Sequence, residues 1–169
     1  MKKRDKLSSF KGKATFTKRC VPVWARFFQR FGLFKKVGEI ISVNSYSNVF
    51  CNAGKYTILE RMGGTDAKTG IITYLALGSG TTTPANTDTK LETETYRHPT
   101  TTGNRTELVV CISTFIPTDE ANDTHKEMGL FGDDASDTAD SGTLYTHVAI
   151  DETKSSGESI TINYDLESL

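Results

Sequence analysis

Long apolar runs are missing from this 169-residue chain, and no window approaches the ~18 uncharged apolar residues that a membrane-crossing helix needs. The basic start at residues 1–13 leads into no apolar segment with a small-residue cleavage site, so a secretory signal is not expected. Cysteine is scarce: Cys20, Cys51 and Cys111 are odd in number and far apart, with no CxxC among them. That spacing argues against a disulfide framework or a zinc knot and for buried thiols in a reducing compartment. The three histidines, His98, His125 and His147, include no pair at helical metal-binding spacing. Fixed-period repeats and heptads are absent as well, which excludes a solenoid or a coiled fibre shaft. The length fits one domain with a core of its own.

Catalytic and cofactor signatures are equally thin. Gly78-Ser79-Gly80 follows an apolar run as a phosphate-binding loop would. However, Thr83 stands where a dinucleotide fingerprint needs its third glycine, and Thr81-Thr82-Thr83-Pro84 does not open a long helix. No Gly-x-Ser-x-Gly elbow occurs. The segment 132–142 gathers four aspartates, but Asp134, Asp137 and Asp140 lie three apart and lack the closing glutamate of a calcium loop, so a solvated hairpin loop is expected. No carboxylate has a partner in an apolar setting that would tune it for acid or base work. The expectation is a protein that is not an enzyme and uses no cofactor or metal.

What the chain has in abundance is threonine and a lopsided charge. Residues 1–61 carry 14 Lys and Arg against Asp5, Glu39 and Glu60, while residues 62–169 carry 6 against 18 carboxylates. Opposite halves of this kind suit a basic region and an acidic body that meet different partners, or that meet each other between copies. Within the basic half, residues 21–36 are the most aromatic stretch. At helical spacing Trp24, Phe27, Phe28, Phe31 and Phe34 share one face, with Arg26, Arg30, Lys35 and Lys36 on the other. Such a helix can lie on a membrane or in a partner's groove. The favoured reading is that its rings are buried in the protein's own core or in an oligomer interface. A basic arm can also bind nucleic acid through phosphates alone, although no recognition motif accompanies it.

Beyond this stretch the patterning is β. Residues 12–19 alternate at period two and read as a first strand or an extended arm. Residues 39–51 read as a strand broken around Asn44-Ser45, and residues 55–62 as a short helix stopped by Gly63-Gly64. Strands follow at 71–77, 105–116, 125–131, 143–150 and 159–166, separated by turn-rich segments at 81–89, 98–104, 118–123, 132–142 and 151–157. Short strands at this spacing predict an all-β chain, an antiparallel β-sandwich that is jelly-roll-like, with one short helix and an extended basic N-terminal arm.

Five motifs stand in series: Asn48-Val-Phe-Cys-Asn-Ala-Gly-Lys55; Ile72-Thr-Tyr-Leu-Ala-Leu-Gly-Ser-Gly-Thr-Thr-Thr-Pro84; Asp88-Thr-Lys-Leu-Glu92 with Arg97; Glu127-Met-Gly-Leu-Phe-Gly132; and Ser141-Gly-Thr-Leu-Tyr145. In that order they resemble a group of small virion proteins of tailed bacteriophages, variously described as tail, neck or fibre-associated proteins. The resemblance covers residues 48–169; the aromatic stretch before it is less typical. It implies a structural, non-enzymatic building block with a β-sandwich body and symmetric self-assembly.

The expected organisation is a docking and oligomerisation region at 1–47 and a body at 48–169. Trp24, Phe27, Phe28, Arg30, Phe31 and Phe34 are the candidate docking residues. The expected partners are copies of the chain in a ring or trimer and other phage structural proteins, with no membrane and with nucleic acid unfavoured. The expected location is the virion, assembled in the bacterial cytoplasm, at the neck or collar or on the tail, where the protein anchors fibres or completes the tail. Alternative readings are a capsid decoration protein or head-fibre base, a nucleic-acid-binding protein using the basic arm, and a carbohydrate-binding receptor module whose stacking rings would be exposed tyrosines such as Tyr96 or Tyr145.

Overall fold

A computed structural model describes residues 10–64, 68–101, 103 and 105–168. The first nine residues of the expected basic arm lie outside them. The described chain is all-β apart from two helices. In order it forms β1 (Phe10–Cys20), α1 (Val23–Gln29), β2 (Glu39–Ser47), β3 (Val49–Phe50), α2 (Asn52–Gly63), β4 (Ile72–Gly78) and β5 (Glu94–Pro99). Then come β6 (Arg105–Thr106), β7 (Val109–Ile116), β8 (Thr124–Gly132), β9 (Thr143–Thr153) and β10 (Glu158–Ser168). Two five-stranded antiparallel sheets result, ordered β2-β1-β10-β7-β6 and β3-β9-β8-β4-β5.

Alternation puts one side chain in two of β1, β10 and β7 onto a common core. Ala14 faces Tyr164, which faces Ile112; Phe16 faces Ile162, which faces Thr114. The small Ala14 lies opposite the large Tyr164, so the row fills its layer without a void. The second sheet answers with Leu75, Leu130 and Thr146 in one row and Leu77, Met128 and Val148 in the next. The apolar side chains of both sheets join one cluster. A smaller cluster of Cys51, Ala76, Leu91, Phe131 and Leu144 lies on the other face of the second sheet. Burial on both faces explains why β4 and β8 read as near-continuous apolar runs. Gly129 stands where a side chain would strike Leu144, Phe131 and Leu91 at 2.9–3.1 Å, so the strand can be covered there only by having none.

Three sequence-based expectations shift. First, of the two readings of residues 12–19 the strand holds, and they form no free arm. They belong to β1, a strand paired on both sides, because Ala14 and Phe16 have core to fill. Residues 10–47, expected as a docking region, thus include two strands of the first sheet. Second, the break expected at Asn44-Ser45 falls at Asn48, whose carboxamide accepts from the Gly12 N–H at 2.7 Å as the chain crosses to the second sheet. Asn44 stays in β2 and donates to Glu152 at 2.7 Å. Third, α1 joins the single helix expected, and α2 begins at Asn52 rather than Lys55, ending on Gly64 in the left-handed conformation at φ 66°.

Strand β5 went unread within the stretch between two turn-rich segments. Its Tyr96 packs against the core, but its Arg97 is buried by ion pairing instead of apolarity.

Because β1 is interior to its sheet, Phe16→Ala is expected to cost about 3–5 kcal/mol. Urea denaturation of the full chain measures it; a loss under ~1 kcal/mol would show that β1 is not held by this core.

Candidate functional site

The six candidate docking residues come together at one end of the molecule. Helix α1 is only seven residues long and ends in a tight turn, with the Phe31 N–H on the Phe28 carbonyl at 3.1 Å and the Gly32 N–H on that of Gln29 at 2.9 Å. The turn, and not a continued helical face, delivers Phe31 and Phe34. Phe34 itself sits at φ 55°, and the buried Gln29 carboxamide donates to its carbonyl at 3.0 Å. Rings meet edge to face between Trp24 and Phe34, Phe27 and Phe28, Phe27 and Phe31, and Phe28 and Phe34, at centroid distances of 5.4–6.0 Å.

None of the five rings enters the chain's own core. Phe27 and Phe31 are each 65% exposed and Trp24 is 59% exposed, with Val23, Leu33, Ile40 and Ile41 exposed as well. Ala25 and Gln29 are the helix residues buried beneath them, and Arg26 donates to the Val21 carbonyl at 2.9 Å. Arg30 reaches Asp119 at 3.6 Å, a wet pair that adds little stability. Apolar rings held out on a short, internally braced turn form the kind of patch that marks an interaction surface.

A second constellation was invisible in the sequence. Glu127 is buried beneath the Gly78-Ser79-Gly80 loop. One oxygen accepts the N–H groups of Gly80 at 3.0 Å and Thr93 at 2.7 Å. The other accepts the Glu92 N–H at 2.9 Å and faces His147 Nε2 at 3.0 Å. His147 Nδ1 faces Asp88 at 2.7 Å, so the ring is held between two carboxyl groups, one at each nitrogen. Glu92 in turn accepts the Thr81 and Thr82 N–H groups at 2.7 and 2.8 Å, and these, that of Thr82 foremost, hold its carboxyl below the usual range. The loop does cradle anions, but they are the protein's own side chains.

The same construction recurs at the acidic loop. Arg97 grips Glu94 through two hydrogen bonds of 2.6 and 2.7 Å, donates to the Ser136 and Ser141 carbonyls, and stacks over Phe131 at 4.3 Å. Asp133 accepts from Tyr145 Oη at 3.1 Å and from the Gly70 N–H at 2.9 Å. The expected solvated hairpin loop is therefore stitched down at its base, with Asp134 and Asp137 left outside.

Every one of the five motifs contributes to this buried framework: Cys51 and Gly54 pack against or bond Tyr145, Gly80 and Glu92 meet Glu127, Asp88 meets His147, and Arg97 meets Ser141. The clue available was that polar motif residues recur beside glycines in strands otherwise apolar. Missing was any sign that Glu127 and His147 would face each other across two strands.

Among the described residues no group of three or more His, Cys, Asp or Glu could hold a metal ion. Tyr145 is buried, and Tyr96 packs on the core with its hydroxyl donated to Glu120, so neither presents a free ring to a sugar. Compared with known protein families, curated proteins and solved structures, the chain matches none.

Replacing Glu127 by Gln sets an amide N–H₂ against backbone donors and strips the charge facing His147. The Glu127→Gln variant is expected to lose about 3–5 kcal/mol and to open residues 79–93 first, read as faster amide exchange of Gly80 and Thr93. Unchanged exchange would refute Glu127 as the loop's anchor.

Alkaline pH tests the buried hydroxyls and thiols. Burial raises Cys51 from 9.0 to about 12 and Tyr46 from 10.0 to about 12, and also raises Tyr96, Tyr145 and Tyr164. Stability from these groups is complete below pH ~9 and is lost as pH climbs toward and past 12. Lys154, lowered by burial from 10.5 to about 8, acts oppositely between those values but is outnumbered. Urea midpoints should fall steadily above pH ~10; a rising midpoint there would contradict the burial of the tyrosines.

Proposed function

We propose that this chain is a non-enzymatic structural component of a tailed-bacteriophage particle: a β-sandwich building block of the neck, collar or tail that associates with copies of itself and with neighbouring particle proteins. The observation that carries this reading is the exposed aromatic cluster of Trp24, Phe27, Phe28, Phe31 and Phe34. A chain does not benefit from leaving five rings in water unless another surface covers them.

The internal stitching supports the same reading. The grouping of His147, Glu127 and Asp88, which in an open cleft would suggest acid–base chemistry, has its hydrogen-bonding capacity committed to loops. Rigid loops at both sheet ends suit a part that must present the same surfaces in every copy. The pairing of two five-stranded sheets about one core favours the sandwich form.

Immunogold labelling tests the location. Antibody raised against the purified chain is expected to decorate assembled phage particles at the head–tail junction or along the tail. Label confined to unassembled cytoplasmic material, with none on purified particles, would refute the structural role; label spread over the capsid shell would instead favour the decoration-protein alternative.

A further inference from the structure

We infer that the aromatic cluster of one copy seats in an apolar cavity at the opposite end of a second copy, forming a head-to-tail contact. The inference rests on the reading of the chain as a self-assembling building block and adds which surfaces meet.

The cavity, about 480 Å³, opens where the two sheets run out. Phe10 at the start of β1, Phe50 of β3, Ile58 of α2, Ile71 before β4, Leu108 just before β7 and Val110 within it line it, and Arg105 and Glu107 add one charge of each sign. Leu108 is 68% exposed and Ile71 51% exposed, so the apolar rim is as bare as the cluster is. An apolar cavity of ~150 Å³ holds one benzene, so this one has room for two or three rings.

Cluster and cavity lie at opposite ends of the same strands. β1 leads from Phe10 in the cavity to Cys20, three residues before α1 begins. β10 starts beside α1, where the Val21 N–H meets the Gly157 carbonyl at 2.8 Å, and runs back to Leu166 in the cavity. An 11-residue strand separates them, roughly 35 Å. The molecule cannot place its own rings in its own cavity; a second copy can.

Charge favours the same pairing. Residues 21–38 hold Arg26, Arg30, Lys35 and Lys36 and no carboxylate; residues 132–142 hold four aspartates and no cation. That acidic loop starts beside the cavity, with the Asp133 N–H on the Ile71 carbonyl at 3.1 Å. Head-to-tail contact brings the two unlike segments together, whereas ring-to-ring contact between two clusters would oppose like charges and leave the cavity open. Because the two surfaces differ, each copy offers one of each, and the contact closes into a ring or extends as a stack.

Sedimentation of the full chain and two variants tests this. Phe27→Asp with Phe31→Asp removes the knob, and Leu108→Asp with Ile71→Asp spoils the cavity. All four positions are exposed, and a parallel serine set guards against a folding defect, checked by circular dichroism. The wild-type chain is expected to form oligomers, and each variant alone to weaken association at least about tenfold. The decisive measurement is a one-to-one mixture of the two variants: one intact knob and one intact cavity should give a heterodimer that grows no further. A wild-type chain that stays monomeric, a cavity variant that assembles like wild type, or a mixture that remains monomeric each overturns the inference. If gold label still marks the particle in any of these cases, the structural role stands and only the mode of contact has failed.

Discussion

The buried carboxylate of Glu127 is the constraint on which the second sheet depends. Removing a charged group from water costs several kcal/mol unless its lone pairs are met, and here three backbone N–H groups and one imidazole meet them. Those donors come from three separate stretches of chain: Gly80, the adjacent Glu92 and Thr93, and His147. Satisfying one side chain therefore fixes the exit of β4, the entry of β5 and the face of β9 together. The loop at 79–93 then lies over Ala76, Gly129 and Leu144, and Leu91 closes the second apolar cluster. Without the polar anchor that face of the sheet would need another cover.

Arg97 repeats the logic at the next loop. Its guanidinium spans a carboxylate, two carbonyls and the Phe131 ring, so one planar group ties a polar loop to an apolar sheet. Two ion-containing knots thus do for the loop-covered face what apolar interdigitation does between the sheets. The division has a physical reason: loops carry many unpaired backbone groups, and only polar partners can settle them.

At the other end of the molecule the balance is reversed. Helix α1 and its turn are braced by Ala25 and the Gln29 carboxamide, while the rings they carry pack edge to face on one another and stay exposed. Rigidity below and bare apolar surface above make a preorganised contact, which loses little side-chain freedom when it is covered. The apolar cavity at the far end is its natural counterpart in size and in the sign of the neighbouring charge.

Much of this was legible in the residues. Period-two alternation located most of the strands, and Gly63-Gly64 marked the end of α2. The aromatic residues 24–34 stood out as a docking candidate. What could not be read was which partners the polar residues would find. Glu127 and His147 are twenty residues apart, and only the antiparallel register of β8 and β9 sets them on one face. Likewise β5 escaped notice because Arg97 is buried through charge pairing, which leaves no apolar signature. Local sequence determined the period, the turns and the bulk of each side chain, since these depend on near neighbours along the chain. Tertiary structure alone decided that the glycine loop would cradle the protein's own carboxylates and that the aromatic rings would face water, because both depend on which distant strands come to lie side by side.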